Sequence, residues 1–170
     1  MTDSIAANLG ILKQGEALLS RLRDDTYTHC LPSVFGSSIG AHIRHNLDHY
    51  ACFLAGVPRG QIDYTARPRN TRIETERAVA LGEFSRVCRA FEGMDIAHGS
   101  LRVRSESNPD STPAPSSMAR ELEFLLSHTV HHYAIVAILC RLQGIAVDDG
   151  FGVAPSTLRH LAESKTPCAP

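Results

Sequence analysis

The residues of this sequence best suited to chemistry are histidines on two stretches. Glu121 to Gly144, ELEFLLSHTVHHYAIVAILCRLQG, carries His128 and His132 four residues apart. Ser38 to Gly56, SIGAHIRHNLDHYACFLAG, carries His42, His45 and His49 at steps of three and four. With His131 these are six of the nine histidines in the chain. Residues four apart on an α-helix stack one turn above another on the same face. Two imidazoles placed so can turn their ring nitrogens toward one ion at roughly 2.0–2.1 Å. A buried neutral imidazole needs partners for its polar nitrogens, and a metal is the most economical partner for a neighbouring pair. The spacing therefore predicts two helices that face each other across a shared metal, with His128 and His132 as two ligands. One of His42, His45 and His49 supplies a third nitrogen. Such a site suits Zn, Ni, Fe or Cu.

Each of these residues also has a bland reading. A lone histidine on an apolar face is more often a hydrogen-bonded core residue than a ligand. His131 points about 100° away from His132, so it is expected to face solvent or to support a ligand from outside. His42 and whichever of its neighbours is unused carry the same expectation. Asp48 reads as a helix-surface charge in preference to an outer partner that fixes a ligand tautomer. Cys52 and Cys140 read as small core residues.

The elements that must position these side chains are helices. In the later stretch, Leu125, His128, His132, Ile135, Leu139 and Leu142 form a seam at alternating steps, and Ser117 is placed to cap its start. In the earlier one, Ile39, Ile43, Leu47, Tyr50 and Leu54 make a packing face beside the histidine stripe, and Gly56-Val57-Pro58 ends the helix. Helical spacing also covers Ser4 to Arg23, with Asp24 to Thr28 as its end and a connecting loop. A third helix is opened by the capping-box pattern Thr71 to Glu74 and runs to Glu92-Gly93. Residues 58–70 read as a polar loop, Ser100 to Arg104 as a short exposed strand, and Ser105 to Ser116 as loop. A short terminal helix starts near Pro155. The fold class expected is all-α. It is a four-helix bundle over a single domain, 1–170, with long connections between helices 2 and 3 and helices 3 and 4.

Composition bounds the function classes. The chain has 170 residues, 43% hydrophobic and 21% charged, with a formal net charge of −1. That balance gives no basis for binding nucleic acid or a membrane surface. Five cysteines at 30, 52, 88, 140 and 168 show no paired spacing and point to a reduced, cytoplasmic chain. The longest apolar run is far short of the roughly 18–20 residues of a membrane span. A homodimer is compatible with a bundle of this size.

The phrase Ser38-Ile39-Gly40 followed by His45, with Ser127-His128-Thr129-Val130-His131-His132 on a later helix, resembles the DinB-like family of metal-binding four-helix bundles. The similarity covers most of the chain, with four helices in the same order and a long second-to-third connection. Carried over residue by residue, the resemblance implies His45, His128 and His132 as the metal ligands. His42 and His49 are additions to the minimal pattern. The family includes transferases that use low-molecular-weight thiols, metal-dependent hydrolases and bundles of no assigned role, so the fold alone does not settle the chemistry.

A metal held by three histidines lowers the pKa of a bound water or binds a thiol as thiolate, and either gives a nucleophile at neutral pH. Three readings follow. The chain is an enzyme activating water or a small thiol against an electrophilic small-molecule substrate, a metal-binding or stress-related module without turnover, or a structural bundle with a hydrogen-bonded histidine core. Arg67 and Arg69, in the loop after the second helix, have the chemistry to hold a carboxylate or phosphate, although a solvated loop is the simpler reading. Asp63 and Tyr64 in that loop are candidates to approach the metal. The sequence has no Gly-rich phosphate loop, no Gly-x-Ser-x-Gly and no Cys-x-x-Cys, so nucleotide, serine-hydrolase and dithiol chemistry gain no support.

Overall fold

The computed structural model describes residues 2–164 apart from 35, 95–99, 105–106 and 109. Cys168 and those three positions of the 105–116 loop thus lie outside the described residues. The described chain is mostly helical: α1 Thr2–Arg21, α2 Asp24–Thr28, α3 Ile39–Gly56, α4 Thr71–Thr75, α5 Arg77–Glu92, α6 Met118–Leu142 and α7 Pro155–Ser164. A single 3-10 turn, Val57–Arg59, follows α3.

Local chemistry sets the ends of these helices. Ser38 Oγ accepts from the Ala41 amide at 3.1 Å and starts α3, and Ser117 Oγ accepts from the Arg120 amide at 3.2 Å and starts α6. Each such cap contributes about 1 kcal/mol. Asn70, one residue before the expected capping box, caps α4 through Oδ1 to the Arg72 amide. The expected third helix is split, because Glu76 adopts extended dihedrals (φ −121°, ψ 98°) between α4 and α5. Asp24 to Thr28, expected as loop, is the short helix α2.

The long helices bury apolar seams against one another: α1 packs on α5 and α6, and α3 packs on α4, α5 and α6. Leu12, Leu18, Leu19, Ile43, Leu47, Tyr50, Phe53, Phe84, Phe91, Leu125 and Tyr133 are among the fully buried side chains. On α6 the buried line runs through Leu122, Leu125, Thr129, Tyr133, Val136 and Cys140. This corrects the expected seam. His128 and His132 are half-buried on its shoulder, Ile135 is partly buried, and Leu142 is 58% exposed. By length and composition α6 passes for a membrane span, with mean hydropathy 1.3, which also corrects the expectation that no stretch would. Here it is a core helix, with an apolar face that α1 and α3 cover.

A small sheet qualifies the all-α expectation. β1 (Gln61–Ile62) runs parallel to β2 (Leu101–Val103), with Gln61 opposite Arg102, and β3 (Ala114–Ser116) lies antiparallel to β2. β2 matches the expected strand, but Leu101 is buried, and β1 and β3 come from segments expected as loop. The sheet pins the α3–α4 and α5–α6 connections to each other.

Two glycines of α3 make close approaches. A Cβ on Gly40 would lie 2.0 Å from the Glu74 carbonyl oxygen, and one on Gly56 would lie 2.7 Å from both the Gln61 oxygen and Ile62 Cα. Only glycine permits backbone packing this tight at both ends of the helix.

Candidate metal centre

The histidine stripes of α3 and α6 meet face to face. Ring centroids are separated by 4.9 Å for His45–His128, 4.2 Å for His49–His128, 4.5 Å for His45–His132 and 4.6 Å for His128–His132. His42 joins the patch through His132, at 5.2 Å. Five imidazoles from two helices thus form one contiguous surface. His131 lies on the exposed side of α6 and meets only the edge of His132 within it, as its place in the sequence implied.

Three of these rings converge. The ligating nitrogens of His45, His49 and His128 all lie within 4.8 Å of one another. Two nitrogens on one tetrahedral ion stand about 3.3 Å apart, so small ring rotations would bring the trio onto a common cation. Of the three residues implied by the resemblance, His45 and His128 belong to this trio. His132 packs against both, while its Nδ1 faces His42 Nδ1 at 2.9 Å.

Hydrogen bonding prepares the trio for a cation. His49 Nδ1 is 2.8 Å from the His45 carbonyl oxygen. Only an N–H can bond a carbonyl, so the proton sits on Nδ1 and Nε2 carries the lone pair. His128 Nε2 is buried with no hydrogen-bond partner, and such an atom costs about 1–3 kcal/mol unless something meets it. A cation held by His128 through Nε2 would meet it. The donor set and this orphaned nitrogen both fit a divalent transition metal.

The electrostatics agree. Burial, then the charge of His49 and Arg67, holds His45 down to about 4. Burial and the neighbouring rings hold His128 and His132 down to about 3. Burial lowers His42 as well. These four rings are therefore neutral at ordinary pH, the form that ligates metals.

Aromatic and polar groups wall one side. Tyr64 stacks on His49 (5.5 Å, 27°), and Phe124 stacks on His128 (5.5 Å, 28°) and meets Tyr64 at 5.0 Å. The Tyr64 hydroxyl donates to Glu121 Oε2 at 2.9 Å. The fully buried Glu121 carboxylate is also bonded by Ser116 Oγ and by Arg120 Nη1. Asp63 turns elsewhere, to Arg104 at 3.0 Å and to Thr65, so of the two loop candidates only Tyr64 touches the histidines. Asp48, expected on the surface, is 2% exposed. Its burial raises its pKa, and the Arg69 amide and the Arg44 and Arg67 guanidinium groups oppose the rise. The loop arginines thus act inward on a carboxylate of α3. Cys52 and Cys140 are buried, as read from the sequence, and burial pushes both thiols up to about 11, away from the thiolate.

Glu121 and Phe124 escaped the sequence reading. The signal was the four-residue spacing of Arg120, Phe124, His128 and His132, which continues the histidine stripe one aromatic and one cation further. Arg120 lies 5.3 Å from the Phe124 ring.

No family model matches the chain. The chain is similar to FK506-binding protein 5 of Rhizopus delemar, at 30% identity over 105 residues, which is 59% of this chain and 27% of that protein. This chain therefore spans about a quarter of the length of that curated relative.

Proposed function

We propose that the chain is a divalent-metal protein built as a four-helix bundle of the DinB-like kind, with α1, α3, α5 and α6 as its four members. The ion is Zn, Ni or Fe, and His45 and His128 hold it together with a third imidazole. One observation carries the reading: ring nitrogens of His45, His49 and His128 converge, and on one of these rings a nitrogen, His128 Nε2, is buried without a partner. His49 is the third ligand favoured by that convergence. His132 is the one favoured by the family resemblance and by its ring positions beside His45 and His128.

Held by His45, His128 and a third imidazole, such an ion would turn a bound water or low-molecular-weight thiol into a nucleophile at neutral pH. The reaction type is then hydrolysis or thiol transfer on a small electrophile in the cytoplasm. Tyr64 and Phe124 would shield one side of the site from solvent. A second reading is a metal-binding module without turnover. It is favoured by the engagement of the nearby carboxylates Glu121 and Asp63 with arginines, which leaves them poorly placed for proton transfer.

Elemental analysis of protein purified without added metal tests the proposal. About one ion per chain is expected, lost in His45→Ala, and less than about 0.2 per chain with an unchanged fold overturns it. Comparing His49→Ala with His132→Ala identifies the third ligand as the one whose loss costs more affinity. Turnover of thiols with model electrophiles above the rate of free metal separates the enzyme from the module.

A further inference from the structure

Two residues beside the trio, Ser37 and His42, have no part in the reading above. Ser37 Oγ lies 2.7 Å from His42 Nε2, and His42 Nδ1 lies 2.9 Å from His132 Nδ1. Two imidazole nitrogens at that distance share one proton, one ring donating and the other accepting. A neutral ring carries a single proton, so the choice made at the shared bond fixes the far nitrogen of both rings. With the proton on His132 Nδ1, His132 Nε2 has a lone pair and His42 Nε2–H donates to Ser37. With the proton on His42 Nδ1, His132 Nε2 is protonated and cannot ligate, and the Ser37 hydroxyl donates to His42.

We propose that Ser37 and His42 are positioning residues that hold His132 as its Nδ1–H tautomer, presenting Nε2 to the ion shared by His45 and His128. The inference rests on the metal reading above. His49 shows the same device on the other side of the site, where Nδ1 is tied to the His45 carbonyl and Nε2 is left as the ligating atom. Ligating histidines regularly donate their outer N–H to an acceptor that fixes tautomer and ring orientation. For His132 that acceptor is a second imidazole, itself anchored. Ser37 is held by its amide to the Val34 carbonyl at 3.2 Å and by its carbonyl to the Leu31 amide at 3.3 Å. The next residue, Ser38, caps the helix that carries His42. The chain therefore runs from a fixed turn, through one helix, to a ring on another.

The test uses the full chain loaded with zinc and 15N-labelled at histidine. Long-range 1H–15N correlations are expected to show His132 protonated at Nδ1 and His42 at Nε2. Zinc affinity should fall about 10–100-fold in His42→Ala, in line with the loss of an outer partner of a ligand, and by less in Ser37→Ala. His42→Asn, whose amide oxygen can stand near the position of Nδ1, should recover most of the loss. His42→Phe fills the same space without an acceptor and should not. A proton on His132 Nε2 in the zinc-bound protein, or unchanged affinity in His42→Phe, overturns the proposal and leaves the metal reading standing. So does loss of one of two zinc ions in His42→Ala, which would make His42 a ligand itself. Failure of the unaltered protein to take up zinc overturns both.

Discussion

Helices α3 and α6 carry two polar regions side by side, and they are built on opposite principles. Toward α1, the polar groups close on themselves. The Tyr50 hydroxyl donates to Asn8 Oδ1 at 2.8 Å, and Asn8 Nδ2 donates to the Ser4 and Leu122 carbonyls at 2.8 and 3.0 Å. Thr129 Oγ1 lies 2.7 Å from the Leu125 carbonyl and 3.3 Å from the Tyr50 hydroxyl. On the histidine side, ring nitrogens converge and His128 Nε2 is left without a partner. Polar groups that serve the fold find their partners inside it. Ring nitrogens that converge could instead hold a metal ion. A partnerless atom alone is not enough for that conclusion: the Asn46 amide and the Tyr133 hydroxyl are also buried without partners. Convergence makes the difference.

The contrast can be broken by substitution. The largest effect is expected from His128→Leu. Zinc affinity should fall by more than about 100-fold, beyond what the loss of an outer partner costs. The metal-free protein should be no less stable, because an apolar side chain replaces an unmet polar one. Zinc titration and thermal melting with and without metal check both halves. At 100-fold excess over the unaltered protein's dissociation constant, zinc should add about 2.7 kcal/mol to that protein and less than about 0.4 kcal/mol to the variant.

Next in size is the response to acid. The unfolded chain takes up protons near the ordinary histidine value of 6.5, whereas folded His45 resists to about 4 and His128 and His132 to about 3. The unfolded state then binds more protons across that window, so stability falls as pH drops from about 6.5 toward 4. Denaturant midpoints of the metal-free protein should follow that slope, and His128→Leu should flatten it.

The smallest effect belongs to the closed network. Tyr50→Phe leaves Asn8 Oδ1 buried and unmet, so about 1–3 kcal/mol of stability should be lost. Zinc affinity should not move, because no converging nitrogen changes. A Tyr50→Phe protein with weakened zinc binding would erase the distinction between the two regions.

The four-residue spacing in each stretch made the histidine stripes legible, along with the helices that bear them and the cap at Ser117. Whether those stripes lie in the core or on its shoulder was not legible. On α6 a 3.6-residue period supports both a line through His128 and His132 and a line through Thr129 and Tyr133, and only the packing of α1 and α3 chooses the second. Asp48 and Glu121 look like surface charges because the Arg69 amide and the Tyr64 hydroxyl, which act on them inside the fold, come from the loop after α3. The strands β1 and β3 are two and three residues long, too short for alternation to register. His49 was visible as a candidate, but its rank above or below His132 depends on ring directions that spacing does not encode.

The glycine contacts of α3 bear on which cation could reside here. With backbone against backbone at residues 40 and 56, that rod is braced at both ends, and swivelling of the rings is the easier adjustment. An ion bound between the two histidine rows would then be selected by radius and preferred bond directions more than by charge.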